Sequence, residues 1–213
     1  MKRPNVTEQL QSRLIEIARR ELGDKQVQSG RERGYLFNHG LRTARLSLWL
    51  AGQIDQDPGQ PEEVLFAAGL LHDCGKGHEN HHLAGATRAA ELLAGVMPAD
   101  QVAAACEIIA AHNQRNRAED TVATRIIQDA DVIDHHGAQQ VWLAIYWNAQ
   151  HGEPIDELDR HYWSETHQRW VNGAPAQMSF DASREEYARR RAFQEQFFRR
   201  FEQELLGPWP QAH

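Results

Sequence analysis

The sequence predicts an all-α protein, a single-domain helical bundle over residues 1–213. Three observations carry this. Apolar residues recur every three or four positions in one segment after another. Residues that start or stop helices, such as Thr7, Pro98, Gly23 and Gly207, fall at the ends of those segments. No alternating strand pattern, internal repeat, low-complexity tract, glycine-rich phosphate loop or nucleophile elbow interrupts the series.

The first helix is predicted from about Thr7, a cap, to Leu22, with Gly23 as its stop. Leu10, Leu14, Ile17 and Ala18 form its packing face. Polar residues 23–35, with three glycines including Gly30, form a loop. The second helix runs from Tyr35 to about Gln53. His39, Thr43, Leu46 and Leu50 share one stripe, so His39 sits on a face that continues into apolar residues. After a turn at 53–60, Pro61 takes the first helical position of the third helix. Glu62 and Glu63 follow in its first turn, where carboxylates suit the helix dipole. The apolar run Val64–Leu71 is buried all round and leads directly into His72, Asp73, Cys74, Gly75 and Lys76, with Gly75 as the stop.

A loop at 77–82 carries His78, His81 and His82. The fourth helix follows, with the small face Ala86, Ala89, Ala90, Leu93 and Ala94. The fifth begins at Pro98-Ala99-Asp100, and its stripe of Val102, Cys106 and Ile109 continues into His112. The polar run Asn113–Asp120 ends it. The sixth is read as one long helix, from about Thr121 to Ala149. Along it Ile127, Asp131, Asp134, Ala138, Val141 and Ile145 recur, so two carboxylates interrupt an apolar face. A buried carboxylate is costly unless paired or metal-bound. An arginine such as Arg125 or Arg42 can pair Asp134. Beyond 151–154 comes an aromatic-rich segment with Tyr162, Trp163 and Trp170, then a loop at 172–180. The last helix starts at the capping box Ser183-Arg184-Glu185-Glu186 and runs to Leu206. Phe193, Phe197, Phe201 and Leu205 form a ladder along it, suited to packing or to a homodimer interface, and Gly207-Pro208 stops it.

A chain of 213 residues, 41% apolar and 25% charged, is long enough for one well-buried core. No apolar run approaches the roughly 18 residues that span a bilayer. No apolar segment follows the N-terminal Met1-Lys2-Arg3, so a secretory leader is not expected and the cytoplasm is the expected compartment. A net charge of −7 argues against a nucleic-acid partner, while leaving room for an anionic substrate at a metal. Cys74 and Cys106 are too few for a disulfide framework or a thiolate zinc site and read as buried thiols.

Four helices thus bring metal-type side chains to a buried face or end: His39, His72 with Asp73, His112, and Asp131. His81 or His82 opens a fifth. Each alone reads as a packed or surface residue. Together they are hard to ascribe to packing, since each would need its own buried partner. Imidazoles and carboxylates without cysteine suit divalent ions with open coordination positions.

This order, and its context, resembles the HD superfamily of metal-dependent phosphohydrolases. The resemblance rests on Asn38-His39, on Leu70-Leu71-His72-Asp73-Cys74-Gly75-Lys76 and on Asp129-Ala130-Asp131. It covers an HD-type catalytic core at 36–145, leaving 151–213 as a C-terminal helical extension. It implies that His39, His72, Asp73 and Asp131 bind one divalent metal, and that His81, four residues before Gly85-Ala86, and His112 add a second, with Asp73 bridging. His82 is the rival of His81. One or two ions per chain are expected, from Fe, Mn, Co, Ni, Mg or Zn.

The implied activity is hydrolysis of a small phosphoester, a nucleotide or related compound, by a metal-bound hydroxide. Asp73 and Lys76 would be catalytic, Lys76 also meeting the substrate phosphate, with Arg42 a second phosphate contact. Asp134 or His78 could relay a proton. Two other readings stand beside it. Some six-ligand members are similar to di-iron oxygenases that cleave organophosphonates, and a degenerate site would leave a module that only binds nucleotides or partners. Lys76 and the intact ligand set favour hydrolysis. Specificity is expected from the 23–35 loop, the 77–82 loop and the aromatic segment after 151.

Overall fold

The computed structural model describes residues 6–26, 31–115 and 117–207. The expected cap side chain of Thr7, Gly30 and the Pro208 stop lie outside the described residues. Among those described there are ten α-helices, one short 3₁₀ turn and no strand, as the periodicity predicts. No described helix is long and apolar enough to cross a membrane.

The centre is α3 (Glu62–Leu71), and every residue from Val64 to Leu71 is buried. Burying each large apolar side chain contributes about 1.5–3 kcal/mol, which is why so short a helix can anchor the fold. Against it pack α1 (Val6–Leu22), α2 (Tyr35–Ala51), α5 (Ala99–Ala111) and α6 (Val122–Asp134), and α4 (His81–Leu93) lies along α5. The α2–α3 crossing is unusually close: a Cβ at Gly40 would lie 2.3 Å from the Leu70 carbonyl oxygen. That approach brings His39 level with His72. Pro61 is the residue before α3, not its first helical position; its extended backbone sets the entry angle.

The predicted long sixth helix is in fact two. α6 ends at Asp134, and α7 (Ala138–Gln150) starts after Gly137. Gly137 adopts φ 78°, a left-handed conformation that costs an L-residue with a Cβ, and that Cβ would also press on Arg190. The break leaves His135 and His136 in a turn. α8 (Ile155–Trp163), α9 (Glu165–Gly173) and α10 (Asp181–Leu205) complete a second layer, α10 packing on α6, α7 and α8.

The capping box is not one. α10 begins two residues earlier, and Ser183 lies buried inside it. A long-range partner does the capping: the Asp129 carboxylate, buried in α6, accepts from the backbone N–H groups of Ser179 and Phe180 at 3.0–3.2 Å. The aromatic ladder is also displaced. Phe193 is exposed, and Phe198 is the fully buried ring, stacked on Tyr162 at 3.8 Å.

Candidate metal centre

His39 is fully buried on the first turns of α2. Its Nδ1–H donates to Asp134 Oδ2 at 2.7 Å, and the Arg42 guanidinium grips Asp134 through two bonds of 2.8 and 3.0 Å. His72, at the C-terminal end of α3, donates Nδ1–H to the Gly69 carbonyl at 2.8 Å. His112, at the end of α5, does the same to Ile109 at 2.7 Å. In all three rings Nδ1 is thus committed as donor and Nε2 is turned to a common space. Such outer hydrogen bonds fix the tautomer that a metal-binding histidine needs.

Asp73 lies between the imidazoles. Its Oδ2 is 4.0 Å from His39 Nε2 and 3.9 Å from His72 Nε2. Its Oδ1 is 3.7 Å from both His81 Nε2 and His112 Nε2. Asp131 Oδ1 completes the first group, 3.2 Å from His39 Nε2 and 3.7 Å from His72 Nε2. Atoms that share one ion at about 2.1 Å stand about 3–3.5 Å apart, so these spacings need little closure. The set contains two pockets of nitrogen and oxygen donors joined by one carboxylate. His39, His72 and Asp73 form one group of potential ligands, Asp73, His81 and His112 another, and His39, Asp131 and His135 a third.

Local sequence explains the arrangement. The turn after His72 runs so close to α4 that a Cβ on Gly75 would lie 2.2 Å from the His81 carbonyl oxygen. Gly75 is therefore a contact residue rather than a left-handed helix stop, and its lack of a side chain lets His81 reach Asp73. His82 faces away, to Asn113 and Gln114. Gln128 on α6 donates to the carbonyls of Ala111 and Gln114, holding the end of α5, and with it His112, against the helix that carries Asp131. Cys74 is buried, with its thiol donating to the Gly85 carbonyl and its pKa pushed by burial up to about 12, so it takes no part in the ligand set.

The electrostatics fit a cation. Burial alone would depress His39, but its hydrogen bonds to Asp131 and Asp134 outweigh it and raise its pKa to about 9. Burial would raise Asp131 and Asp73. For Asp131 hydrogen bonds with His135, His39 and His72, and for Asp73 the charges of His72 and Lys76 with a bond from His112, hold both well below the carboxylate range. Carboxylate oxygens of Asp131 and Asp73 converge on His39 Nε2, at 3.2 and 4.0 Å, an environment that favours a cation. His81 is pushed down by burial and by Lys76, which keeps its nitrogen free to coordinate.

Lys76, a quarter exposed, places Nζ 3.3 Å from Asp73. Two of the Arg42 nitrogens are held by Asp134, so its observed link to this centre runs through that carboxylate to His39. His78 is exposed. Two residues escaped the sequence reading. His135 sets Nε2 3.4 Å from Asp131 Oδ1 and Nδ1 3.4 Å from the Tyr35 hydroxyl. Its signal was present, four residues after Asp131 on one helix face. Arg115 donates to Asp131 Oδ2 at 2.6 Å from an irregular segment that carries no periodicity to read.

In comparisons with known proteins, residues 36–135 match the family model described as HD domain. No curated protein matches the chain. Among solved structures, Bacillus subtilis YpgQ aligns with a TM-score of 0.66 at 16% identity, over 95% of this chain and 99% of its own. YpgQ in complex with ADP aligns at 0.61 and 19% identity, over 94% and 98%. An HD-superfamily hydrolase from Bacillus thuringiensis aligns at 0.68 and 18% identity, over 95% and 100%. At these identities the shared property is the fold.

Proposed function

We propose that this chain, whose residues 36–135 match the family model described as HD domain, is a metal-dependent phosphohydrolase acting on a small phosphoester. Nucleotides and related compounds are the first class to test, because a structure of the same fold has been solved with ADP. The observation that carries the reading is Asp73, whose two oxygens each face a different pair of imidazole nitrogens. His39, His72, Asp73 and Asp131 would hold one divalent ion; His81 and His112, with Asp73 bridging, would hold a second. We retain 36–145 as the catalytic core and 151–213 as its helical extension.

When bound, such ions supply an activated water and positive charge for the phosphoryl oxygens. The chain's own residues do the rest. Asp134, clamped by Arg42, fixes the His39 ring. Lys76 and Arg115 place cationic groups beside Asp73 and Asp131, where charge on a phosphoryl group would need support. His135, partly exposed and linked to Asp131 and Tyr35, is placed to pass a proton to a leaving group.

The test is metal content per chain after purification without chelators or air, followed by phosphoester turnover with and without O₂. Two equivalents and O₂-independent phosphate release are expected. One equivalent would reduce the site to the first four ligands. O₂-dependent cleavage of a phosphonate would move the protein to the oxygenases, and no metal after adding divalent ions back would leave a binding module.

A further inference from the structure

A cavity of about 390 Å³ opens where the turn between α6 and α7 meets α10. Arg42, Arg189 and Arg190 line it, and no carboxylate does. Asp134 engages Arg42 through Nε and Nη2. Glu186 engages Arg190 through Nε, and Arg190 Nη1 donates to the Ile133 carbonyl. Arg42 Nη1 and Arg190 Nη2 are left without a partner among the described residues. Arg189 is largely exposed, with its Nε on Glu186 and only a 3.9 Å approach to Glu185. Three guanidiniums against the buried Asp134 and the partly buried Glu186 leave an excess of positive charge at the wall.

The backbone adds to that excess. Gly137 precedes α7 and supplies no capping side chain. Its own N–H goes to Gln194 Oε1 at 3.1 Å. The N–H groups of Ala138 and Gln139, in the first turn and in the cavity lining, have no acceptor inside the helix. A helix N-terminus carries about half a positive charge. His136 lines the same cavity, is 1% exposed, and has no partner on either ring nitrogen. Gln194 Nε2 is a further buried donor without an acceptor. Donors gathered in one place, with a cationic balance and no carboxylate in the lining, suit an oxyanion. A phosphate group suits them better than a carboxylate, because its oxygens can meet guanidinium and backbone N–H groups at once. Arg42 ties this cavity to the metal centre, since it also grips Asp134 behind His39.

We propose that this cavity is a second site, independent of bound metal, for a phosphate-type dianion, and that its occupant is an effector of the metal centre, drawing the Arg42 guanidinium from Asp134 and so loosening the support of His39. The site stands on its own geometry, whether or not the chain hydrolyses phosphoesters. The full chain, freed of metal by dialysis against a chelator, is titrated by calorimetry with inorganic phosphate and with phenyl phosphate. One site per chain is expected. Tighter phenyl phosphate would mark a phosphomonoester whose organic part lies on Phe193, a half-exposed ring of the lining, and equal affinities would mark free phosphate. Ala138→Glu brings a carboxylate to an exposed first-turn position where it suits the helix dipole. It should fold normally and abolish binding. Arg189→Gln should weaken binding about threefold, the scale of one exposed charge pair. Mn²⁺ affinity is then measured by chelator competition, with and without phosphate, in the unmodified chain and in Ala138→Glu. The variant subtracts any direct contact of phosphate with the ion. Relative to it, phosphate should weaken Mn²⁺ binding to the unmodified chain by about fivefold. No phosphate binding by the metal-free chain, binding that survives Ala138→Glu, or an equal effect on Mn²⁺ in both chains would overturn the proposal.

Discussion

Two clusters of buried histidines lie on either side of the Asp134–Gly137 turn, and they behave in opposite ways. In the metal centre, His39 has carboxylates on both nitrogens and its pKa rises to about 9. In the C-terminal layer, His136 stacks on Trp170 and meets Tyr187 edge-on, with both ring nitrogens buried and unpartnered. Burial, aided by the charge of His135, pushes its pKa down to about 3. His167, tilted against Tyr162 and Trp170, falls to about 4 for the same chief reason, burial, with His161 adding to it. Neither ring pairs with a carboxylate among the described residues. Burial is common to both clusters; the carboxylates differ. A buried histidine is a ligand candidate when acids and a committed Nδ1 surround it, and a packing ring when aromatics do.

The strongest way to break this comparison is Asp73→Ala. We expect metal content to vanish and turnover to fall by at least about a hundredfold, with helicity by circular dichroism retained. Full metal content would end the assignment of the centre. Next is Asp134→Asn, which leaves every proposed ligand in place and weakens the acceptor behind His39. Metal affinity should drop about 10- to 100-fold, the range for such outer partners, measured by competition with a fluorescent chelator. Lys76→Ala should lower kcat by about tenfold or more without changing metal stoichiometry; unchanged kinetics would return Lys76 to a structural role.

The pH dependence of the metal-free protein should separate the clusters. His39 is raised above its unfolded value near 6.5, so its contribution is fully present below that pH and lost as pH rises through about 9. His136 and His167 are lowered, so their contribution is present above about 6.5 and lost as pH falls towards 4 and 3. Thermal melts should therefore weaken at both ends, and added metal should flatten the alkaline limb alone. The smallest effect is expected from His136→Phe. It removes two unpartnered polar atoms while keeping a ring against Trp170, so stability should hold or rise by about 1 kcal/mol at neutral pH. The acid limb should shrink, and metal content should not change. A loss of metal on that substitution would erase the distinction between the clusters.

Much of this was legible in the chain itself. The run from Val64 to Leu71 announces a buried helix, and each of the six proposed ligands falls where a buried stripe or helix end meets a polar side chain. What was not legible depended on partners far away in sequence. Ile127, Ala138, Val141 and Ile145 keep a helical phase straight across Gly137, so periodicity hid a break that the backbone shows. Ser183-Arg184-Glu185-Glu186 satisfies the local rule for a helix start, but Asp129, some 50 positions earlier, already holds the backbone ahead of it. Arg42 was one of two arginines offered to Asp134, and packing chose it.

The bond between His39 and Asp134 joins positions 95 apart, and the proposed ligands are strung along nearly that whole interval. No short piece of the chain can assemble the centre. During synthesis the last ligand, Asp131, arrives only after α2 to α5 have been made, so an ion can be captured with high affinity only by a chain whose core helices have already docked. A tightly held ion would thus be a record of completed folding, and it would also act as a clasp: opening any one of the helices that carry its ligands would mean giving up the ion, so chelation should shorten the lifetime of the native state more than the small size of the site suggests.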